Sequence, residues 1–216
     1  MKKILLLLLI SGTGILNAQT YSYQWAKTGG GINGSSGVGF SQQVDEHILD
    51  VAIDAQNNSY YLSSIYNSAP LLDGQATSIY GVRNTIIFST DCQGNIRWKR
   101  IIGGGQSGGV TQKIVLDNQG GLYLTYGENN GSNGGQYLPP RFGDNDAQAV
   151  VNDPFVNSPE LRYGHLLKYN TATGNLVWRK DFQGDVNALN SFMDFSPPVI
   201  DSQNQMHIIM GFQAGT

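Results

Sequence analysis

The three tryptophans of this chain occupy the same place in one recurring pattern. Trp98 lies near the end of the segment DCQGNIRWK, and Trp178 lies near the end of the segment NTATGNLVWR. Trp25 stands in YQWAK, which matches only the tail of the pattern. A unit that recurs in this way indicates a repeat array, in which each copy packs against its neighbours.

A second pattern recurs around three aspartates, Asp54, Asp117 and Asp201. In each copy a short apolar strand precedes the aspartate, and a polar turn rich in Asn, Gly and Gln leads into a second apolar strand. The carboxylate of such an aspartate can accept hydrogen bonds from backbone N–H groups two residues on. We therefore interpret the three aspartates as turn formers, and not as shared metal ligands.

The tryptophan hairpins turn at Gly94 and Gly174, for which we predict a positive φ because glycine adopts it at little cost. One aspartate hairpin followed by one glycine hairpin makes four antiparallel strands, which is one blade of a β-propeller. No convincing helical periodicity is present, so the chain is predicted to be all-β. The aspartates are 63 and 84 residues apart. Common propeller repeats span roughly 40–50 residues, so the excess is assigned to loops.

About two and a half blades are expected in this chain. The third copy, residues 198–216, contains only its first hairpin. Because a propeller needs about four to eight blades, we predict an incomplete ring whose remaining blades are missing from this chain. An incomplete stack exposes a strand edge, so residues 19–216 are expected to self-associate. The orphan strand Tyr21–Lys27 is expected to pair with absent strands or to lie loosely against the third copy.

Residues 1–18 read as a secretory leader, with Lys2 and Lys3 before the apolar run 4–10 and with cleavage after Ala18. The run is shorter than the roughly 20 residues that span a bilayer. The mature segment 19–216 is therefore expected to be secreted or to lie on the outer cell surface. Loss of the leader changes the formal net charge from −3 to −5. This charge argues against nucleic acid as a partner, since nucleic-acid binding needs a basic surface.

Three resemblances follow from these motifs. The segment 170–178 is similar to the repeat of quinoprotein-type propellers, and the segments 25–30 and 98–104 resemble the opening of seven-bladed propeller repeats in secreted bacterial proteins. The end of the leader, at Asn17, Ala18 and Gln19, resembles leaders of the Bacteroidetes. The propeller resemblance covers most of residues 21–216 outside the two long loops, at about 30–46 and 127–161, and it implies that each tryptophan packs between neighbouring blades. The copy at 182–184 departs from it, with one glycine where the other copies have three.

Catalytic and metal-binding motifs are weak in this sequence. Gly105–Gly109 matches G-x-S-x-G, but a predicted strand follows it instead of the helix that a nucleophile elbow requires. The histidines His47, His165 and His207 are scattered, and we expect the last two to be packed or surface residues of strands. Asp144 and Asp146 offer oxygen ligands for Ca²⁺ but lack the rest of an EF-hand loop. No cofactor is predicted.

The insertion at 127–161 is the best candidate for function, because long loops in compact domains are often functional. Its candidate binding residues are Tyr137, Arg141, Phe142 and Phe155. We expect a non-catalytic, exported propeller segment that binds a protein or glycan, or that is displayed at the cell surface. Two alternatives remain open, which are part of a quinone-cofactor dehydrogenase and a structural spacer in a larger surface protein.

Overall fold

The computed structural model describes residues 25–30, 47–66, 71–78, 83–103, 109–110, 113–117, 119–129, 141–143, 162–183 and 192–213. Every helix or strand assigned within these ranges is a β-strand, and all strand pairs are antiparallel, which confirms the all-β class. In the same ranges there is no helix with the length and apolar character needed to cross a membrane. The strands are β1 Gly29–Gly30, β2 His47–Ile53, β3 Ser59–Tyr66, β4 Leu71–Leu72, β5 Gln75–Ala76, β6 Arg83–Thr90, β7 Ile96–Gly103, β8 Gly109–Val110, β9 Val115–Leu116, β10 Gly121–Asn129, β11 Arg162–Asn170, β12 Leu176–Gln183, β13 Phe192–Phe195, β14 Val199–Ile200, β15 Met206–His207 and β16 Met210–Gln213.

The first sheet is a four-stranded antiparallel meander in the order β2-β3-β6-β7. Its side chains alternate between the two faces, as the period of two in a strand requires. On β3, Tyr60 and Leu62 belong to one hydrophobic cluster, while Tyr61 and Ile65 belong to another. The sheet is therefore apolar on both faces, which is typical of a layer that is covered on both sides.

The second sheet has the order β12-β11-β10, and both β8 and β9 pair with β10. The strands β8 and β9 are therefore two pieces of one interrupted fourth strand. The third unit, residues 192–213, repeats this interruption, because β13 pairs with β16 and β14 pairs with β15. The described residues form no closed ring of sheets, so the propeller and its number of blades stay predictions.

The main hydrophobic core lies between the first and second sheets. The first sheet contributes Tyr60, Leu62, Ile87, Trp98 and Ile102, all buried. The second sheet contributes buried residues from β10 and β11, and Ile114 lies just before β9 in the same cluster. A hydrogen bond crosses between the sheets at their edge strands, where Ile114 N–H donates to Asp50 Oδ2 at 2.9 Å. The two sheets are thus joined face to face by one continuous core.

Each of the first two tryptophans packs on the glycine turn of a sheet that follows it in sequence. A Cβ atom added to Gly174 would lie 2.5 Å from the indole of Trp98, and one added to Gly94 would collide with the ring of Trp25. The indole Nε1–H of Trp98 donates to the carbonyl of Thr171 in the same turn at 2.9 Å. The expected positive φ is found at both glycines, 81° at Gly94 and 69° at Gly174. We call this contact the tryptophan–glycine joint.

The N-terminal segment is tied to the first sheet. Trp25 packs on Gly94, and Lys27 Nζ forms an ion pair with Asp73 Oδ2 at 2.6 Å. Asp73 lies in the turn between β4 and β5, and the strand β1 pairs with β4. The expectation that this segment lies loosely against the third copy is therefore wrong for residues 25–27, because Gly94, which has no side chain, leaves room for the indole on its turn.

We expect Trp98→Ala to destabilise the chain by about 3–5 kcal/mol, because a buried indole leaves a cavity and an unfilled core. The Thr171 carbonyl also loses the hydrogen bond that it accepts from the indole N–H. The matched control is Trp178→Ala, at the same place in the second sheet, where the tryptophan is only half-buried. Urea unfolding of both variants measures the difference. An equal loss of unfolding free energy in both variants would show that the tryptophan–glycine joint adds no stability.

We expect Gly174→Ala to cost more stability than Gly74→Ala. Both glycines are left-handed, with φ of 69° and 74°, so both substitutions carry the same backbone strain of about 1–2 kcal/mol. A Cβ at Gly74 meets no atom within 4 Å, whereas one at Gly174 enters the Trp98 ring. Overpacking adds about 1–3 kcal/mol at Gly174 alone. Thermal unfolding of the two variants separates the backbone strain from the collision with the Trp98 ring. Equal melting temperatures would show that Gly174 and Trp98 are not in tight contact.

Candidate functional site

The recurring aspartates shape their turns as the sequence suggests. Asp54 Oδ1 accepts the backbone N–H groups of Gln56 and Asn58, each at 2.9 Å. Asp117 and Asp201 accept the backbone N–H groups two and four residues on in the same way. Asp91 repeats the pattern at the glycine hairpin of the first sheet. These carboxylates therefore replace the backbone acceptors that tight turns lack.

The second oxygen of each recurring aspartate binds a side chain six residues on, which the sequence analysis missed. Tyr60 donates its hydroxyl to Asp54 Oδ2 at 2.7 Å, and Tyr123 donates to Asp117 Oδ2 at 2.9 Å. His207 Nε2 lies 2.9 Å from Asp201 Oδ2. The signal was present in the sequence, since an aromatic residue stands six positions after each aspartate.

A cation completes this arrangement in the first and second sheets. Lys168 Nζ lies 3.1 Å from Asp117 Oδ2 and 4.9 Å from the centre of the Tyr123 ring. In the first sheet Arg97 Nη1 donates to the Tyr60 hydroxyl at 3.1 Å. The two cations come from different strands, β11 and β7, yet reach the equivalent tyrosine. The clusters are alike in chemistry and are parts of the repeat.

The pKa of Asp117 lies below its ordinary value. Burial alone would raise this pKa, but hydrogen bonds from the Gly121 and Gln119 backbones, from Tyr123 and from Lys168 together outweigh burial. The pKa of Tyr123 is raised, first by burial, and the pKa of Lys168 is raised, first by its hydrogen bond with Tyr123. At neutral pH the cluster therefore contains a carboxylate, a neutral phenol and an ammonium ion.

The second sheet departs from the repeat at one row of residues, which is the candidate functional site. His165 is fully buried, and its Nδ1–H donates to Asp181 Oδ1 at 2.8 Å. Arg179 Nε lies 3.2 Å from the other oxygen of Asp181. The His165 ring packs against Phe142, with ring centres 4.8 Å apart. In the first sheet, the pair that corresponds in register to His165 and Asp181 is Ile86 and Ile101.

The row shares one feature with the general base and orienting carboxylate of a hydrolase, which is the hydrogen bond between a histidine and a carboxylate. A general base must reach the proton that it removes. The His165 ring has no exposed surface, so it does not reach a substrate in this conformation. The hydrogen bond from His165 is the largest cause that holds the pKa of Asp181 below its ordinary value. The arrangement positions a carboxylate and a guanidinium beside Phe142, and we assign it no chemical step.

The insertion at 127–161 is anchored to both sheets at its centre. Phe142 is fully buried, and its carbonyl accepts the Tyr169 hydroxyl at 2.7 Å. Arg141 is exposed, and its backbone pairs with Gly103 at the end of the first sheet. The prediction that Phe142 belongs to a surface recognition loop is therefore wrong. Its ring lies beside Tyr126 and His165 and under the guanidinium of Arg179, which together exclude water.

The other predicted site residues are only partly described. Tyr137, Phe155, Asp144 and Asp146 lie outside the described residues, and so does Ser107 of the G-x-S-x-G segment. Within the described ranges, no three His, Cys, Asp or Glu side chains form a group that could hold a metal ion. Cys92 is exposed in the turn that precedes Gly94.

We expect Asp117→Asn to lower stability by about 1–3 kcal/mol at pH 7, because the ammonium of Lys168 loses its charged partner. A carboxyl whose pKa is lowered on folding stabilises the fold above its unfolded pKa, and this gain is lost as pH falls through the folded value. The parent should thus lose stability as pH falls below the ordinary value of 3.8, and the variant should lose less.

The matched control for this prediction is Asp91→Asn. Asn170 already occupies the corresponding place in the second sheet, where its side-chain oxygen accepts the N–H groups of Ala172 and Thr173. Urea unfolding between pH 2 and pH 7 compares the two variants. An equal effect of both substitutions would show that the charge of Asp117 is not what stabilises its cluster.

The comparisons with known proteins add no relative to this description. No protein-family model, no curated protein and no solved structure matches the chain. The site is therefore interpreted from its own geometry.

Proposed function

We propose that this chain is part of an exported β-propeller that binds a protein or glycan ligand at the cell surface without catalysing a reaction. In this proposal the first and second sheets are two consecutive blades, and the third unit begins another. The repeated tryptophan–glycine joint supports this, because the same contact orients Trp25 on the first sheet and Trp98 on the second. A contact that repeats with each sheet gives each sheet the same relation to its neighbour.

The observation that carries the binding role is the anchoring of the insertion 127–161. Its middle is fixed to the core by Phe142 and to the first sheet by the backbone of Arg141. Binding residues are often found on loops that a rigid scaffold holds in place. The segments on either side of this anchor, 130–140 and 144–161, contain Tyr137 and Phe155. Aromatic side chains of this kind are the usual anchors of a protein interface and of sugar stacking.

The proposal predicts that Tyr137→Ala and Phe155→Ala weaken ligand binding about tenfold or more, which is the loss expected on truncating a binding hot spot. A ligand is first selected by screening the full chain against glycans, peptides and matrix proteins. Melting curves of the two variants should match those of the parent. Phe142→Ala is the control, because loss of its buried ring should lower the melting temperature.

Two results would count against this function. Binding that both alanine variants retain in full would separate it from the insertion. Hydrolase or dehydrogenase activity that belongs to residues 19–216 would make the protein an enzyme. Addition of a quinone cofactor and calcium, followed by absorption spectroscopy of the washed protein, tests the dehydrogenase alternative directly. A chromophore that stays bound would establish that alternative.

A further inference from the structure

The insertion folds back at the same place as the shorter connection of the first sheet. The connection between β3 and β6 pairs Leu71 with Gly30 in antiparallel register. The connection between β10 and β11 pairs Arg141 with Gly103 in the same way. Gly30 and Gly103 each stand five positions after a tryptophan of the repeat. The two connections are therefore held by equivalent backbone bridges.

The residue after each bridge is a buried apolar side chain, which we call the plug. In the first sheet the plug is Leu72, which lies in one cluster with Ile86 and Ile101. We call these two register positions the seat of the plug. In the second sheet the plug is Phe142, which is fully buried. Both connections thus cover their sheet with one apolar side chain, although residues 130–161 form a connection twice as long as 67–82.

The seat of the second sheet consists of ionisable groups that bind one another. Asp181 accepts the His165 Nδ1–H at 2.8 Å and lies 3.2 Å from Arg179 Nε. The ring centres of His165 and Phe142 are 4.8 Å apart, and the guanidinium carbon of Arg179 lies 5.6 Å from the centre of the Phe142 ring. The energies of such ring–ring and cation–ring contacts depend on the orientation of the ring, whereas packing on isoleucine is much less directional.

We propose that His165, Asp181 and Arg179 are positioning residues, which fix the orientation of the Phe142 plug and with it the backbone from which the insertion continues on both sides. Burial on an aliphatic seat would hold the ring without selecting one orientation. A buried ionic group is often no more stabilising than apolar residues of similar volume. The ionic seat therefore contributes orientation and not stability. This inference deepens the proposed binding role and rests on it, but its test needs no ligand.

The test gives the second sheet the residues that the first sheet has at these positions. The triple variant is His165→Ile, Arg179→Lys and Asp181→Ile, where the lysine corresponds to Lys99. A lysine at this position can extend its ammonium to solvent. The free energy of unfolding in urea should equal or exceed that of the parent chain, because an apolar seat replaces the buried ionic one.

Hydrogen exchange measured by NMR then reports on the bridge beside the plug. The Arg141 amide donates to the Gly103 carbonyl. In the triple variant this amide should exchange about tenfold faster than in the parent, since local opening of the bridge becomes easier when the plug is less fixed. The Leu71 amide is the internal control, because it lies at the equivalent bridge over an unchanged seat, and it should exchange at the parent rate.

A fourth substitution tests whether the seat acts through the ring. Phe142→Leu should speed exchange of the Arg141 amide in the parent, and it should add little in the triple variant, because the directional contacts are already gone. Equal effects of Phe142→Leu in both backgrounds would overturn the proposal, since residues that act through one contact are not additive.

Two other results would also overturn it. One is an Arg141 amide that exchanges at the parent rate in the triple variant. The other is a triple variant that unfolds more easily by enough to account for the faster exchange, or that does not fold, because the three residues would then be a structural part of the core. Faster Arg141 exchange at parent stability, in a chain for which no ligand is found, would support the positioning role and count against the proposed function alone.

Discussion

The indole of Trp98 on the turn of Gly174 is the contact on which the arrangement of the two sheets depends. It needs a backbone with positive φ, the absence of a Cβ atom, and a carbonyl placed to accept the indole N–H. Arg100 strengthens the same contact, since its guanidinium donates to the Thr173 carbonyl and to the Asn175 side chain. A turn that serves as a platform fixes both the distance and the rotation of the neighbouring sheet.

The recurring aspartate has a related role within each sheet. Its two oxygens hold the turn backbone and the side chain six residues on, so one carboxylate fixes both the turn and the start of the next strand. The pKa of Asp117 is low because these donors together outweigh the cost of burial. Such a cluster stays ordered only while every donor keeps its acceptor. An exported protein can be stabilised by disulfides, but Cys92 is the single cysteine of this sequence. No disulfide within the sequence can therefore replace the aspartate cluster.

Local chemistry was predictable from the sequence, and contacts that depend on register were not. The turns at Asp54 and Gly94 can be predicted because the conformation that these residues favour is set within four or five residues. The pairing of His165 with Asp181 depends on how β11 and β12 align, which no local pattern encodes. Phe142 was predicted to be a loop residue because the insertion that contains it, 127–161, is rich in Gly, Asn, Asp and Pro. Its burial follows from Tyr126 and His165, which are distant along the chain.

The glycine hairpins differ in length on one side of the glycine and not on the other. Two residues separate Asp91 from Gly94, and three separate Asn170 from Gly174, yet each glycine stands four positions before the tryptophan of its own hairpin. The hairpin thus tolerates an added residue before the glycine, whereas the spacing from each glycine to the tryptophan of its own hairpin stays at four positions. Copies of this repeat are therefore better aligned on the glycine-to-tryptophan spacing than on overall repeat length, which insertions are free to change.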